Sequence, residues 1–95
     1  MEEIPEGFEW DPDKAEQNLR DHGVSFREAS EVFADPRFRF LFDSEHSDDE
    51  DRYLGIGFTR KGRLLRVGYC ERGDNIRIIN AWKADTTYRA AYDEE

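Results

Sequence analysis

The chain is 95 residues long, 37% apolar and 39% charged, with a net charge of −9 at pH 7. That length has room for one domain over residues 1–95, whose seven Phe, four Tyr and two Trp supply a small aromatic core. No apolar run approaches the ~20 residues of a membrane helix, the acidic start (Glu2, Glu3, Glu6) is unlike a secretory signal, and a lone Cys70 builds no disulfide framework. The expectation is a cytoplasmic domain with acidic tails at 1–6 and 93–95, in a reducing compartment.

In chain order, Asp11-Pro12 opens the first helix: Asp11 suits the N-cap, and Pro12 the first turn, where its missing N–H costs nothing. The helix runs about three turns to His22, with Gly23 as its stop. Its apolar face is thin (Ala15, Leu19, then His22), so it must dock to persist. Ser25 to Glu28 reads as a capping box, with Val24 and Ala29 as the hydrophobic staple. A second short helix then buries Ala29, Val32 and Phe33 and ends at Asp35-Pro36, because residues before proline avoid the helical region.

Arg37 to Phe42 alternates, with Phe38, Phe40 and Phe42 on one side of a strand. Residues 43–51 hold six acids and read as a mobile solvated loop; without a glycine turn or fixed ligand spacing they match no metal cage. From Arg52 the pattern is a β-meander. Leu54, Ile56 and Phe58 share a face, and a two-residue turn at Lys61-Gly62 sets Leu65, Val67 and Tyr69 opposite them. Gly73-Asp74 makes a second turn, after which Ile76 and Ile78 continue that core face. The other face then carries Tyr53, Thr59, Arg66, Cys70, Arg77 and Ile79. A last amphipathic helix, Asp85 to Asp93, buries Tyr88, Ala91 and Tyr92. The sum is an α+β domain: two N-terminal helices, an antiparallel sheet of about four strands covered on one face, and a C-terminal helix.

Charge is unevenly placed. Residues 1–51 carry 17 acids and 5 bases, residues 52–83 carry 2 acids and 8 bases, and residues 84–95 carry 4 acids and 1 base. A basic segment inside an acidic protein is either a solvated sheet face or a site for a polyanion. No phosphate loop, dinucleotide fingerprint, paired C-x-x-C or H-E-x-x-H occurs, and no spacing supports a Cys70–His22 pair. What remains is the open face. There Arg66 and Arg77 are cross-strand neighbours if both turns have two residues, with Arg72 at the turn and Lys83 at the strand end. Guanidinium groups grip phosphate bidentately, and cleavage of RNA by its own 2′-OH needs such groups and no metal.

One string is more specific. Phe8-Glu-Trp-Asp-Pro12, Lys14-Ala15, Asn18, His22-Gly-Val-Ser-Phe26, Glu28-Ala29, Val32-Phe33 and Asp35-Pro36 resemble the opening of the BrnT family. Glu71-Arg-Gly-Asp74, Ile76-Arg-Ile-Ile79, Ala81 and Lys83-Ala84 continue the likeness, which spans roughly residues 8–92. The resemblance implies a type II toxin of RelE/ParE-like fold that cleaves RNA and inhibits translation. It also implies a BrnA-like ribbon-helix-helix antitoxin, through which alone operator DNA is bound, and no cofactor. By position, Arg77 and Lys83 are its candidate catalytic residues, with Arg72 on the RNA; the open face adds Arg66 as an RNA contact and Trp82 as a stacking candidate, and His22 is a further match whose helix-end position favours packing.

The chain also departs from its relatives: Asn80 stands where they carry Ser, Trp82 where they carry Arg, and Asp85 where they carry Thr. Trp82 either stacks on a base or fills the core against Leu65, and the two-residue-turn register favours the core. These departures, with the −9 charge, leave two other readings open: a toxin-fold module that only binds its antitoxin, and an interaction domain without an operon partner.

Overall fold

The computed structural model describes residues 3–94, so Met1, Glu2 and Glu95 of the expected tails lie outside it. Helix α1 (Pro12–His22) begins as predicted: the Asp11 side chain accepts a hydrogen bond from Asp13 N at 2.9 Å. Gly23, at φ 68°, closes the helix by donating its N–H to the Leu19 carbonyl. Helix α2 (Phe26–Ser30) is shorter than expected and passes into a 3-10 turn, Glu31–Ala34. Ser25 Oγ accepts from Glu28 N at 3.0 Å, but only this half of the capping box forms. The Glu28 carboxylate is taken by Thr59 and Arg63 instead.

Five strands follow the order β1-β5-β4-β3-β2: β1 (Phe8–Glu9), β2 (Arg39–Phe42), β3 (Arg52–Phe58), β4 (Leu64–Arg72) and β5 (Asn75–Lys83). The antiparallel four-stranded expectation is therefore corrected to a five-stranded mixed sheet, because β1 pairs in parallel with β5. Two residues carry no periodicity to read, yet Phe8 opposite Ile76 and Glu9 opposite Arg77 seal that edge. Helix α3 (Thr86–Asp93) is capped by Asp85, which accepts from Tyr88 N at 3.1 Å. No described helix is long and apolar enough to cross a membrane.

Two one-residue slips overturn the expected faces. Phe58 pairs with Leu64, so the first hairpin is closed by Thr59 N–H bonding Arg63 O, around the three residues 60–62, with Gly62 at φ 80°. A slip of one residue sends every side chain to the other face. Leu54, Ile56 and Phe58 consequently lie on the side opposite Leu65, Val67 and Tyr69, while Tyr53 joins Tyr69, stacked at 5.6 Å. The second slip is a bulge at Ile79, between the pairs Gly68–Asn80 and Tyr69–Ile78. It brings Asn80 and Trp82 to the Arg66 side and sets Arg66 opposite Trp82, while the two-residue turn before it pairs Cys70 with Arg77.

The main core joins both helices to the sheet through Trp10, Val24, Phe26, Ala29, Val32, Leu65, Val67, Ile78 and Ala81. Helix α1 docks through Ala15 and buried Asn18, not Leu19, which is 50% exposed. Asn18 Nδ2 donates to Val24 O (3.0 Å) and Ala81 O (2.7 Å), and its Oδ1 accepts from Ala81 N (3.1 Å). On the other face Ile56, Leu64 and Tyr92 form a second cluster under α3. Eight helical residues reach about 12 Å, whereas a nine-residue strand reaches about 30 Å. Helix α3 thus covers only one end of a face expected to be open, and leaves the rest bare.

Candidate functional site

Arg66 lies beside α3, its guanidinium 5.9 Å from the Tyr88 ring, and is only 8% exposed. Its Nη1 donates to Asn80 Oδ1 at 2.7 Å, and its guanidinium carbon sits 3.8 Å above the Trp82 ring. No carboxylate comes within ion-pair distance of it among the described residues. A buried cation normally holds a counter-charge, so Arg66 is the unbalanced charge of this face. Around it opens a cleft of about 210 Å³ lined by Arg52, Asn80 and Trp82 on the sheet and by Asp43 and His46 on the loop after β2. Beyond Trp82 a second groove, about 310 Å³, runs along Lys14, Asp21 and His22 of α1. The His22 ring packs against Trp82 with centroids 4.7 Å apart.

The acidic run 43–51, expected to be a mobile loop, is tied at both ends. Asp43 N donates to Arg52 O (2.8 Å), Ser47 Oγ to Asp43 O (2.6 Å), and Arg52 N to Ser47 Oγ (2.9 Å). These bonds close the 3-10 turn Ser44–His46 and carry His46 to the cleft, with Nδ1 2.9 Å from Asp43 Oδ2. At the far end Arg72 donates to both carboxylate oxygens of Glu50, at 3.2 and 3.0 Å.

The expected site residues are therefore dispersed. Arg77 is paired with Glu9 at 2.8 Å, and this bond holds the Glu9 carboxyl below its ordinary value. Arg72 is spent on Glu50, and Arg63 on Glu28. Three bases of the positive segment are thus clamps between elements. Lys83 pairs with Leu65, which the register puts on the helix side, and it lines a separate depression with Gly62, Arg63 and Arg89. Trp82 is not in the core against Leu65, since the bulge turns it out to Arg66. Burial pushes the Cys70 thiol up, away from a thiolate, and Cys70 faces Arg77 rather than His22. Among the described residues no three His, Cys, Asp or Glu side chains converge as metal ligands.

His46 is the residue that sequence reasoning passed over. Six acids in nine positions hide a single imidazole, and its Asp43 partner at i−3 is the one local signal.

No curated protein sequence matches the chain. Its fold is shared with the crystal structure of the Brucella abortus ribonuclease toxin BrnT: the TM-score is 0.63 at 18% identity, over 83% of this chain and 96% of that one. Residues 10–87 match the family described as the ribonuclease toxin BrnT of type II toxin–antitoxin systems. That stretch holds every element from α1 to β5 and the whole Arg66 cleft, so the chain belongs to the BrnT toxin family.

Proposed function

We propose that the chain is a metal-independent endoribonuclease of RelE-like fold that cleaves RNA and inhibits translation, and that RNA enters the Arg66–Trp82 cleft. The observation that carries this reading is Arg66, a buried guanidinium with a neutral partner and an aromatic neighbour but no carboxylate. A phosphodiester supplies the counter-charge, and the charge that develops on phosphorus during 2′-OH attack tightens the contact. Trp82 beside it offers a face for a base, worth about 1–3 kcal/mol. Losing one such oriented donor costs on the order of 100-fold in rate. The site thereby moves from Arg77 and Lys83, which the family likeness favours, to Arg66. Arg72 and Arg77 stay as outer contacts along β4 and β5, and His22 supports Trp82.

A BrnA-like ribbon-helix-helix antitoxin neutralises the toxin in the cytoplasm and alone carries the complex to operator DNA; membership of a type II toxin family supports a protein antitoxin. The test is induction of the chain alone in a bacterial host, following growth and total RNA. Growth arrest with RNA loss, relieved by Arg66→Ala or Trp82→Ala and by co-expressed antitoxin, is the expected result. Intact RNA and normal growth, from protein shown to be folded, would instead favour a module that only binds its antitoxin. The Trp82 substitution and the −9 charge point that way.

A further inference from the structure

We propose that His46 is the general base of RNA cleavage and that Asp43 is its positioning residue. The inference rests on the ribonuclease reading and assigns a proton acceptor that the arginines cannot supply, since a guanidinium stays protonated. Three observations carry it. His46 lines the same cleft as Arg66 and Trp82, although it stands 20 residues before Arg66 in a run that reads as solvent-facing. The His46 Nδ1 lies 2.9 Å from Asp43 Oδ2, so Nδ1 is engaged by the carboxylate and Nε2 is the ring atom left for substrate. Nε2 has no protein partner among the described residues, and the ring is 61% exposed, whereas the Asp43 carboxylate is only 15% exposed. A carboxylate half-withdrawn behind an accessible imidazole is the arrangement that orients a base and stabilises the imidazolium it becomes.

The turn that sets this pair is built for the purpose of holding shape. Ser47 bridges Asp43 O to Arg52 N, so the Asp43–His46 segment is bonded to the first residue of β3 and cannot drift from the sheet. Nε2 takes the proton of the ribose 2′-OH, O2′ attacks phosphorus, and the P–O5′ bond breaks. The departing O5′ takes a proton from solvent water, and the imidazolium returns its own to solvent. The products are a 2′,3′-cyclic phosphate and a free 5′-OH, with Arg66 neutralising the phosphoryl oxygens throughout. The charged groups facing His46 are Asp43, Arg52 and Arg66 across the cleft, with Glu45, Asp48, Asp49 and Glu50 of its own loop.

The test uses the purified full chain on a single-stranded RNA, with kcat, KM and product ends measured for wild type, His46→Ala and Asp43→Asn. General-base removal is worth roughly 100- to 10,000-fold. His46→Ala is expected to lose at least about 100-fold in kcat with KM and melting temperature little changed. Asp43→Asn, which keeps the shape but not the charge, is expected to lose about tenfold in kcat. A 2′-O-methyl RNA of the same sequence should bind His46→Ala as tightly as wild type. If wild type cleaves and His46→Ala cleaves at the same kcat, the base assignment is overturned while the nuclease reading stands. If wild type leaves RNA intact, the nuclease reading itself fails, and the base assignment with it. Products ending in a 3′-OH from wild type would also overturn the proposal, since they exclude 2′-OH attack.

Discussion

On the helix-covered face of the sheet, each buried polar group is answered. Asn18, 6% exposed, makes three hydrogen bonds that tie α1 to β5 and to the start of α2. Glu28, 7% exposed, receives Thr59 Oγ and both ends of the Arg63 fork. Across the sheet Arg66 is buried almost as deeply, at 8%, but its one hydrogen-bond partner is the neutral oxygen of Asn80. The two faces use similar depth for opposite ends. A satisfied network adds stability, whereas a buried cation without a counter-charge costs it, and is kept where a ligand supplies the missing charge. The main core and the proposed RNA cleft thus lie on opposite faces of the sheet.

The sharpest way to break that comparison is a pair of substitutions, one on each face. Phe26 is 1% exposed and meets the Trp10 ring edge-on at 5.8 Å. Phe26→Ala is expected to cost about 3–5 kcal/mol, and thermal denaturation should show it, at roughly 4–8 °C per kcal/mol for a domain this size. Arg66→Met keeps the stem and removes the charge. Its expected melting temperature is equal to or above wild type, while cleavage falls by about 100-fold. If Arg66→Met melts as early as Phe26→Ala, the two faces do not divide stability from function.

Asn18→Leu comes next. It leaves Ala81 N–H and the Val24 and Ala81 carbonyls without their partner on α1. Each orphaned buried group costs about 1–3 kcal/mol, part of which relaxation or water recovers, so a net loss of about 2–3 kcal/mol is expected in urea titration. A loss no greater than that of Leu19→Ala, at a half-exposed position, would show that Asn18 does not lock the helix.

These tests also mark where sequence reasoning ran short. Caps and punctuation were legible, since Asp11, Gly23 and Ser25 act locally and need only their own neighbours. Register was not, because it depends on how two distant strands meet. The alternation of Leu54, Ile56 and Phe58 reads as the core face, yet the glycines between them mark where the 3-10 turn and the Phe38 ring come close. A Cβ at Gly57 would lie 2.8 Å from Val32 O, and one at Gly55 2.6 Å from the Phe38 ring. The bulge at Ile79 left no pattern of its own, and with it the meeting of Arg66, Asn80 and Trp82 stayed hidden. The charge pattern located the basic segment, but which bases are free and which are clamps follows only from the carboxylates of Glu9, Glu28 and Glu50, far off in sequence.

A smaller effect comes from the clamps on the stable side, through pH. The Arg63 hydrogen bonds hold the Glu28 carboxyl below its ordinary value of 4.5, against the opposing effect of burial. Burial pushes Asp35 up, but bonds from Phe58 N, Arg37 N and Tyr92 Oη outweigh it and leave Asp35 below its ordinary 3.8. Both groups titrate lower when folded, so the stability they add is whole above the unfolded values. It is lost as pH falls through the folded ones. Denaturation midpoints should therefore drop progressively below about pH 4.5, and Glu28→Gln should flatten that slope while lowering stability at neutral pH. An unchanged slope in Glu28→Gln would place the acid sensitivity elsewhere.

The finest test lies at the proposed site, two residues from Arg66 on the same strand. Gly68 faces Asn80, and a Cβ there would sit 2.5 Å from Asn80 Oδ1 and 3.0 Å from its Cγ. Gly68→Ala must push the amide aside, and the amide is what holds the guanidinium on Trp82. The backbone of Gly68 asks for no left-handed conformation, so the domain should fold normally. The expected outcome is about a tenfold loss of kcat with a melting temperature within a few degrees of wild type. Asn80→Ala should give the same loss, and the double variant should lose no more than either, because both act through the one contact to Arg66. Additive losses would mean that Gly68 serves RNA directly, through the close approach of its backbone in the cleft, rather than through the position of Arg66.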